Sequence, residues 1–430
     1  MANILRRVGM IALSGTIAVI SFAAIVIAGI MQSSQPAPAA TQPPSPASRT
    51  ANHRAADADS GRHVVAIVLG QSGTDAADAL APYEVLASSP AFSVYTVSAS
   101  PQPAGFDGGM AVASNYTFAD VESGTAPTPD LIVVPAVNLP DGPEEQAARE
   151  FIATRYAAGA RVLGICAGSR LLAASGVLDG TTATSHWSRI GALEDSRPEV
   201  TWLRGERYVQ DGRITTTAGV TSGIPGTLKV MADMAGAAEA IRVGNEIAYP
   251  GWSLDAPTAI PAQSFGTMDA GVLINTAFPW SRPTVDIQLS EGIGEIDVAA
   301  LFEVYTYSQA ATTNAVSTTG TVHTRHGLTI RTGLAGANDD SSDALVAGGF
   351  AGHAGYGGFD AAIEQLSRTT GPAVAESVGK MLEYPLDRVT MVDAPTLDRW
   401  RAPALLATAV LLAAALGAMP YAARRLQRHR

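Results

Sequence analysis

The stretch GICAGSRLLAASGVLDGTTATSHW, from Gly164 to Trp187, decides the fold class. The apolar run Arg161–Ile165 predicts a strand that leads into it, and Ser169–Ala174 predicts a helix, so that Cys166 falls on the tight turn between them. A cysteine at such a turn, flanked by glycines, is the pattern of a nucleophile elbow. The amino terminus of the helix would lower the pKa of the thiol and offer N–H groups to an oxyanion. The alternative is a buried structural cysteine.

Short apolar runs alternate with helical patterns from His63 onward. The runs that predict strands are Val64–Leu69, Phe92–Val97 and Leu131–Val134, and the patterns that predict helices are Asp78–Ala87 and Pro143–Ala157. This alternation predicts an α/β fold in which a parallel sheet is sandwiched by helices. Functional groups of such a sheet gather at the carboxyl ends of its strands.

Two stretches without a charged residue lie near the ends of the chain, at Val8–Met31 and Ala402–Ala423. A helix over the first would be roughly 36 Å long, which exceeds the hydrocarbon core of a bilayer. Neither stretch has the polar stripe of a surface helix, so we predict a transmembrane helix at each end. A cleaved signal peptide is the alternative for the first stretch, although its apolar run is longer than the core of such a peptide.

Arginines flank both stretches on the side of the chain termini. They are Arg6, Arg7, Arg424, Arg425, Arg428 and Arg430. The positive-inside rule therefore predicts a protein of the cell membrane with cytoplasmic termini and extracytoplasmic main domains. The chain has 28 basic and 39 acidic residues, a net charge of −11, and without these six arginines 22 basic residues remain, a net charge of −17. An acidic segment repels nucleic acid, so no nucleic-acid partner is expected.

The composition divides the chain into seven segments. They are a transmembrane anchor (1–31), a linker rich in Pro and Ala (32–62), a first folded domain (63–252), a connector (253–283), a second folded segment (284–398), a second transmembrane helix (402–423) and a basic cytoplasmic tail (424–430). The prolines of the linker favour extended backbone and cannot bury a core. We expect the linker to hold the first domain away from the membrane.

Three motifs in order resemble the DJ-1/PfpI superfamily. They are the Gly164–Trp187 stretch, DALAPYEVL (Asp78–Leu86) and TTTAGVTSGI (Thr215–Ile224), and they look most like the branch of GlxA-type regulators and isonitrile hydratases. The resemblance covers under half of the chain. It implies a flavodoxin-like fold of the class I glutamine amidotransferase type, a small-molecule ligand or substrate, no cofactor and no metal.

The resemblance also implies roles for individual residues. Cys166 would be the nucleophile, Asp78 would hold or share a proton with the thiol, and His186 would lie near the sulfur and move protons. The backbone N–H groups of Ala167, Gly168 and Ala136 would line an oxyanion site. The alternatives are an exposed helical carboxylate for Asp78 and, for His186, a structural histidine packed against Trp187.

The sequence departs from the family at two of these positions. Ala167 stands where related hydratases usually have threonine, so a hydroxyl that would orient the substrate is missing and hydration of an isonitrile is less favoured. Pro135 and Ala136 stand where the family commonly has a glycine pair, and their side chains would narrow the approach to the oxyanion site.

A shortened repeat is predicted in the second half of the chain. Asp297–Tyr305 has an acid and a Glu in the same spacing as Asp78–Leu86, and the spacing from Gly236 to Tyr249 recurs from Gly371 to Tyr384. The second copy contains no cysteine. We therefore expect it to act as an internal packing partner of the first, with packing between copies in a homodimer as the alternative.

The sequence predicts a membrane-anchored protein in which Cys166 acts as nucleophile of a hydrolase or lyase on a small electrophile. A non-catalytic sensor of a small molecule or of oxidation, related to the GlxA-type regulators, is the alternative. Small-molecule ligands and the lipid bilayer are the expected partners.

Overall fold

A computed structural model of the chain describes residues 2–33, 61–335, 343–346, 357–393 and 401–427. Most of the predicted linker, the last three residues of the basic tail and parts of the second folded segment lie outside the described residues. We refer to residues 63–252 as the N-terminal unit and to residues 284–393 as the C-terminal unit.

The N-terminal unit is built on a mostly parallel sheet. Its strands are β1 (His63–Val68), β2 (Phe92–Ser98), β3 (Ala104–Gly105), β4 (Ala111–Val112), β5 (Tyr116–Thr117), β6 (Leu131–Val134), β7 (Arg161–Gly164), β8 (Thr182–Ala183), β9 (Thr201–Trp202), β10 (Tyr208–Asp211) and β11 (Ile214–Thr217). Seven of them form one sheet in the order β10-β11-β7-β6-β1-β2-β5, in which only β10 and β11 pair antiparallel. The α/β class predicted from the alternating pattern is confirmed.

Helices cover both faces of this sheet. They are α2 (Ala76–Ala87), α3 (Phe118–Glu122), α4 (Gln146–Ala157), α5 (Gly168–Ala174), α6 (Trp187–Ser196), α7 (Gly223–Ala235) and α8 (Ala237–Ile247), and α1 (Ala2–Ser33) precedes the sheet. Side chains of β1 alternate between two cores: Val65 and Ile67 join the core with α2 and α7, whereas Ala66 and Val68 join the core with α4 and α5. A strand buried on both faces explains why its sequence is continuously apolar.

The C-terminal unit has a smaller parallel sheet. Its elements are β12 (Thr284–Gln288), α10 (Glu295–Ser308), β13 (Thr312–Ser317), β14 (Thr321–His323), β15 (Thr329–Arg331), β16 (Gly333–Leu334), β17 (Asp343–Val346), α11 (Gly357–Thr370) and α12 (Pro372–Leu382), and α9 (Ala270–Ala277) lies in the connector. The sheet order is β16-β13-β12-β17. Helix α10 follows β12 as α2 follows β1, and the described residues include no counterpart of β7 and its cysteine turn.

Corresponding turns of the two units have nearly the same backbone angles. Gly236 joins α7 to α8 with φ 94° and ψ 155°, and Gly371 joins α11 to α12 with φ 93° and ψ 160°. Twelve residues later, α8 ends at Ala248 with φ 56° and α12 ends at Glu383 with φ 55°. Glycine is needed at Gly236 and Gly371 because residues with a Cβ rarely adopt this region.

The two units pack through reciprocal contacts. Helix α2 lies against α10, and Oε2 of Glu303 accepts a hydrogen bond from the backbone N of Ala77 at 3.0 Å. In the opposite direction, Oε2 of Glu84 accepts from the backbone N of Ile296 at 2.6 Å. A second joint is the four-stranded sheet β14-β15-β4-β3, in which β15 of one unit pairs with β4 of the other.

The ends of the chain form two helices that pack against each other, α1 and α13 (Arg401–Gln427). Within the described residues, one helical stretch, Ile11–Ser33, is long and apolar enough to cross a membrane, with a mean hydropathy of 2.4. The apolar part of α13, Ala404–Pro420, is shorter than that. The length and hydropathy of α1 therefore support the first predicted transmembrane helix, and the second remains a prediction.

Candidate active site

Cys166 lies on the turn between β7 and α5, at the carboxyl edge of the sheet. Its φ of 53° is in the left-handed region, where a residue with a side chain is strained. The backbone N of Cys166 donates to Oγ1 of Thr217 at 3.1 Å, which ties the turn to the neighbouring strand β11. Gly168 allows the close approach of α5 to β6, since a Cβ there would lie 2.1 Å from the carbonyl oxygen of Val134. The side chain of Cys166 is buried.

Asp78 lies in the first turn of α2, beside the thiol. Its Oδ2 accepts a hydrogen bond from the backbone N of Ala136 at 3.0 Å. Burial, followed by the negative charge of Asp75, raises the pKa of Asp78 well above its usual range, although the thiol of Cys166 lowers it slightly as a weak hydrogen-bond donor. The raised pKa favours the protonated form of Asp78, and the N–H of Ala136 is occupied by its carboxyl oxygen.

The pKa of the Cys166 thiol is shifted in the direction opposite to the one that its position before a helix predicts. Burial raises it well above the usual value, and the carboxyl groups of Asp78 and Asp75 raise it further. The N–H of Ala167 donates to the sulfur and lowers the pKa, but it does not outweigh these causes. The N–H of Gly168 donates to the carbonyl of Ile165 at 2.7 Å. Of the three predicted oxyanion donors, only Ala167 therefore faces the sulfur.

His186 caps the amino terminus of α6 and connects the two units. Its Nδ1 accepts from the backbone N of Ser188 at 3.3 Å, and its Nε2 lies 2.8 Å from the carbonyl oxygen of Met381, to which only an N–H can donate. Burial lowers the pKa of His186 to about 4, so the ring is neutral at physiological pH. Both ring nitrogens are thus engaged away from Cys166, and the structure does not bring this predicted site residue into a hydrogen bond with the sulfur.

A group of acidic side chains that the sequence patterns did not indicate lies beside the thiol. It is formed by Asp75, Asp107 and Glu303. Asp75 and Glu303 share a hydrogen bond between their carboxyl groups, and burial raises the pKa of both. The hydroxyl of Tyr307, also from α10, donates to Oδ2 of Asp75 at 3.5 Å. Glu303 and Tyr307 belong to the C-terminal unit, so only the predicted packing of the repeat could have indicated them.

These carboxyl groups do not form a metal site: among the described residues, no group of three or more His, Cys, Asp or Glu side chains has suitable geometry. The neighbouring cavity has a volume of about 30 Å³, room for very few water molecules. Ser185 and Ala218 line it on one side, and residues 260–263 of the connector and Glu383 of the C-terminal unit line it on the other. Cys166 is not among its lining residues, and because the thiol is buried, a ligand can reach the sulfur only if the groups that cover it move.

We predict that the variant Asp107→Asn is more stable than the wild type at alkaline pH. Burial and the charge of Asp75 raise the pKa of Asp107 to about 7. The native stability associated with Asp107 is therefore fully present below pH 4 and is lost as the pH rises through 7, because ionisation in the folded state becomes necessary. The variant should melt roughly 2–4 °C higher at pH 8, which corresponds to about 1 kcal/mol.

Differential scanning calorimetry from pH 4 to pH 8 measures this difference. The gain should disappear near pH 4, and the exposed-site variant Asp179→Asn should show no such pH dependence. A gain that persists at pH 4, or a loss of stability at pH 8, would contradict the prediction.

Comparison with known proteins supports a family assignment. Residues 63–233 match the model of the DJ-1/PfpI family. An isonitrile hydratase from Pseudomonas putida is 31% identical over 191 residues, which cover 43% of this chain and 79% of the hydratase. The HTH-type transcriptional regulator GlxA of Rhizobium meliloti is 36% identical over 106 residues, which cover 24% of this chain and only 30% of the regulator.

Among solved structures, Drosophila melanogaster DJ-1beta is similar, with 19% identity, a TM-score of 0.38 and coverage of 43% of this chain and 96% of that one. The hydratase match extends over most of the hydratase. The chain therefore belongs to the DJ-1/PfpI family, and residues 63–233 carry the match.

Proposed function

We propose that this chain is a membrane-anchored sensor of a small molecule, with its binding site at Cys166 and with the C-terminal unit as the element that responds. The observation that carries the proposal is the closure of the site. The thiol is buried. Glu383 of the C-terminal unit raises the pKa of Cys166, and Cys166 in turn raises the pKa of Tyr307, so both residues lie within electrostatic range of the sulfur. A ligand that enters this site must displace groups of the C-terminal unit, which couples binding to movement.

The groups that catalysis would use are present, but they are protonated or hydrogen bonded within the fold. A cysteine nucleophile reacts as the thiolate, whereas burial and neighbouring carboxyl groups keep Cys166 protonated. The N–H groups of Ala136 and Gly168 donate within the fold, and His186 is neutral and hydrogen bonded elsewhere. Ala167 offers no hydroxyl to orient a substrate. These features favour binding over turnover.

Helix α12 connects the Cys166 site with the connector. At its carboxyl end, the carbonyl of Met381 accepts from His186, and Oε2 of Glu383 accepts from the backbone N of Gly219 at 2.6 Å. One turn earlier, Nζ of Lys380 lies 2.5 Å from Oδ2 of Asp269, a buried carboxylate immediately before α9. A displacement of α12 would therefore act directly on α9.

Helix α9 in turn contacts both terminal helices. Ala277 and Phe278 at its end form a small apolar cluster with Ala409 of α13, against which Phe22 and Val26 of α1 also pack. The exposed side chains nearby are apolar: Leu273 is 48% and Trp280 is 53% exposed.

Asp269 is the one charged residue between Asp255 and Arg282, and it is buried. An uncharged surface with tryptophan next to an arginine is typical of a segment at a membrane interface. This supports the proposal that α1 and α13 both span the membrane, with cytoplasmic termini and extracytoplasmic main units.

A cysteine-dependent hydrolase or lyase acting on a small electrophile is the second candidate function. The strained backbone of Cys166, with φ 53°, favours it, because strain of this kind is typical of reactive sites. The related isonitrile hydratase favours it as well. Hydration of an aliphatic isonitrile that is lost in Cys166→Ser would establish this candidate instead of the sensor.

We predict that chemical occupation of the Cys166 site changes the dynamics of α12 and α9. Methyl methanethiosulfonate, in excess and with long incubation, adds a methylthio group to the thiol of the full chain in lipid nanodiscs. Because Cys166 is buried, the added group must displace the side chains packed around the sulfur. The amides of α12 and α9 should therefore exchange hydrogen for deuterium faster, while those of α4 remain unchanged. Mass spectrometry of peptic fragments measures the exchange.

Cys166→Ala treated with the same reagent is the control and should show no change. In Lys380→Met, which removes the ion pair to Asp269, the change in α12 should persist and the change in α9 should be lost. Altered exchange confined to α5 and its immediate neighbours in the wild type would refute the coupling.

We also predict that both terminal helices cross the membrane. In right-side-out membrane vesicles, an added protease should digest the units between the spans and leave an epitope tag after Arg430 protected. Opening the vesicles with detergent should expose the tag. A tag that is digested in intact vesicles, or a full chain that is extracted by alkaline carbonate, would show that the proposed topology is wrong.

A further inference from the structure

Three arginine side chains surround a pocket that is separate from the Cys166 site. Arg170 belongs to α5, Arg189 to α6, and Arg197 follows the end of α6. The pocket has a volume of about 130 Å³, which is enough for a polyatomic ligand rather than one water molecule. None of its lining residues lines the cavity beside Ser185 and Glu383.

The positive charge of this pocket is only partly compensated. Nη2 of Arg197 forms an ion pair with Oδ1 of Asp141 at 2.6 Å. Within the part of the chain that the structure describes, no hydrogen bond or ion pair is made by the guanidinium groups of Arg170 and Arg189. Three guanidinium groups and one carboxylate leave a net charge of +2 on the lining, in a chain whose overall charge is −11.

The guanidinium group of Arg170 is destabilised by its surroundings. Burial lowers the pKa of Arg170, the charge of Arg189 lowers it further, and the charge of Asp141 offsets part of this. The one carboxylate of the lining, Asp141, is paired with Arg197, so Arg170 and Arg189 leave two positive charges for a partner from outside the chain. Such a partner has to be an anion.

We propose that this pocket binds a phosphate-type dianion, either as the free ion or as the terminal group of a phosphate monoester. The planar guanidinium group forms two parallel hydrogen bonds with a tetrahedral oxyanion, which is the geometry that Arg170 and Arg189 can offer from two sides. A dianion balances the net charge of +2. The location also suits a ligand, because α5 begins and the loop with Asp141 lies at the carboxyl edge of the sheet, where open α/β sheets bind their ligands. The site is independent of the sensor function proposed above.

Calorimetric titration of the full chain in detergent with inorganic phosphate, at pH 7.5 and constant ionic strength, tests the proposal. We expect saturable binding with a Kd of about 1 mM or tighter, which is typical of a small ligand held by a few charge-assisted hydrogen bonds. Sulfate should compete, whereas chloride and acetate should not. A phosphate monoester that binds more tightly than phosphate would identify the monoester as the preferred ligand, and equal or weaker binding would identify the free ion.

Two variants assign the binding to this pocket. Arg170→Gln and, separately, Arg189→Gln should weaken phosphate binding by roughly tenfold or more, since each removes one bidentate contact. Arg204→Gln is the matched control, because Arg204 is already paired with Glu194 at 2.6 Å, and its Kd should equal that of the wild type.

Arg170→Gln should also melt at the same or a higher temperature than the wild type without phosphate, because it removes a like-charge repulsion. Absence of saturable binding in the wild type, or unchanged binding in both Arg170→Gln and Arg189→Gln, would overturn the proposal. If Arg170→Gln does not fold, the exposed Arg189 keeps the test decisive.

Discussion

Helices α2 and α10 each receive a carboxylate from the other at their amino termini, and the arrangement of the two units depends on this exchange. Glu303 accepts from the N–H of Ala77, and Glu84 accepts from the N–H of Ile296. An isolated helix leaves its first N–H groups unsatisfied, so a buried helix end needs such partners. Each unit supplies the hydrogen-bond acceptor for a helix amino terminus of the other, so the C-terminal unit packs on the N-terminal unit as an internal partner. The face of α2 that receives it is therefore not free for a second chain.

The two ends of this interface differ in charge, and this difference contributes to the raised pKa of the Cys166 thiol. At one end, the turn between β14 and β15 supplies Arg325, whose Nη1 lies 2.9 Å from Oε1 of Glu84. At the other end, the turn between β3 and β4 supplies Asp107, another acid, near Glu303. Carboxyl groups buried together without a cation take up protons. These carboxyl groups and burial together raise the pKa of the Cys166 thiol, which is the basis of the sensor function proposed above.

Much of the fold follows from local sequence patterns, whereas the state of the site does not. The apolar run of β1 and the turn at Cys166 depend on neighbouring residues, so their positions could be predicted within a residue or two. The pKa of Cys166 depends first on burial and then on Asp78 and Asp75, and of these only Asp78 was indicated by the family resemblance. The covering of the site depends on Tyr307 of the other unit. The N–H of Ala136 could be identified as a possible oxyanion donor, but only the structure shows that Asp78 occupies it.

The central claim is that the C-terminal unit closes the Cys166 site, and the rate of alkylation of Cys166 by iodoacetamide tests it most directly. Tyr307 is half-buried and lies beside the site, so Tyr307→Ala should open it and accelerate alkylation several-fold at pH 7.5, while Tyr208→Ala, at the edge strand β10, should not. Slow alkylation of the wild type and a clear acceleration in Tyr307→Ala are the predicted results. Wild-type alkylation as fast as that of a free thiol, and unchanged in Tyr307→Ala, would contradict the account.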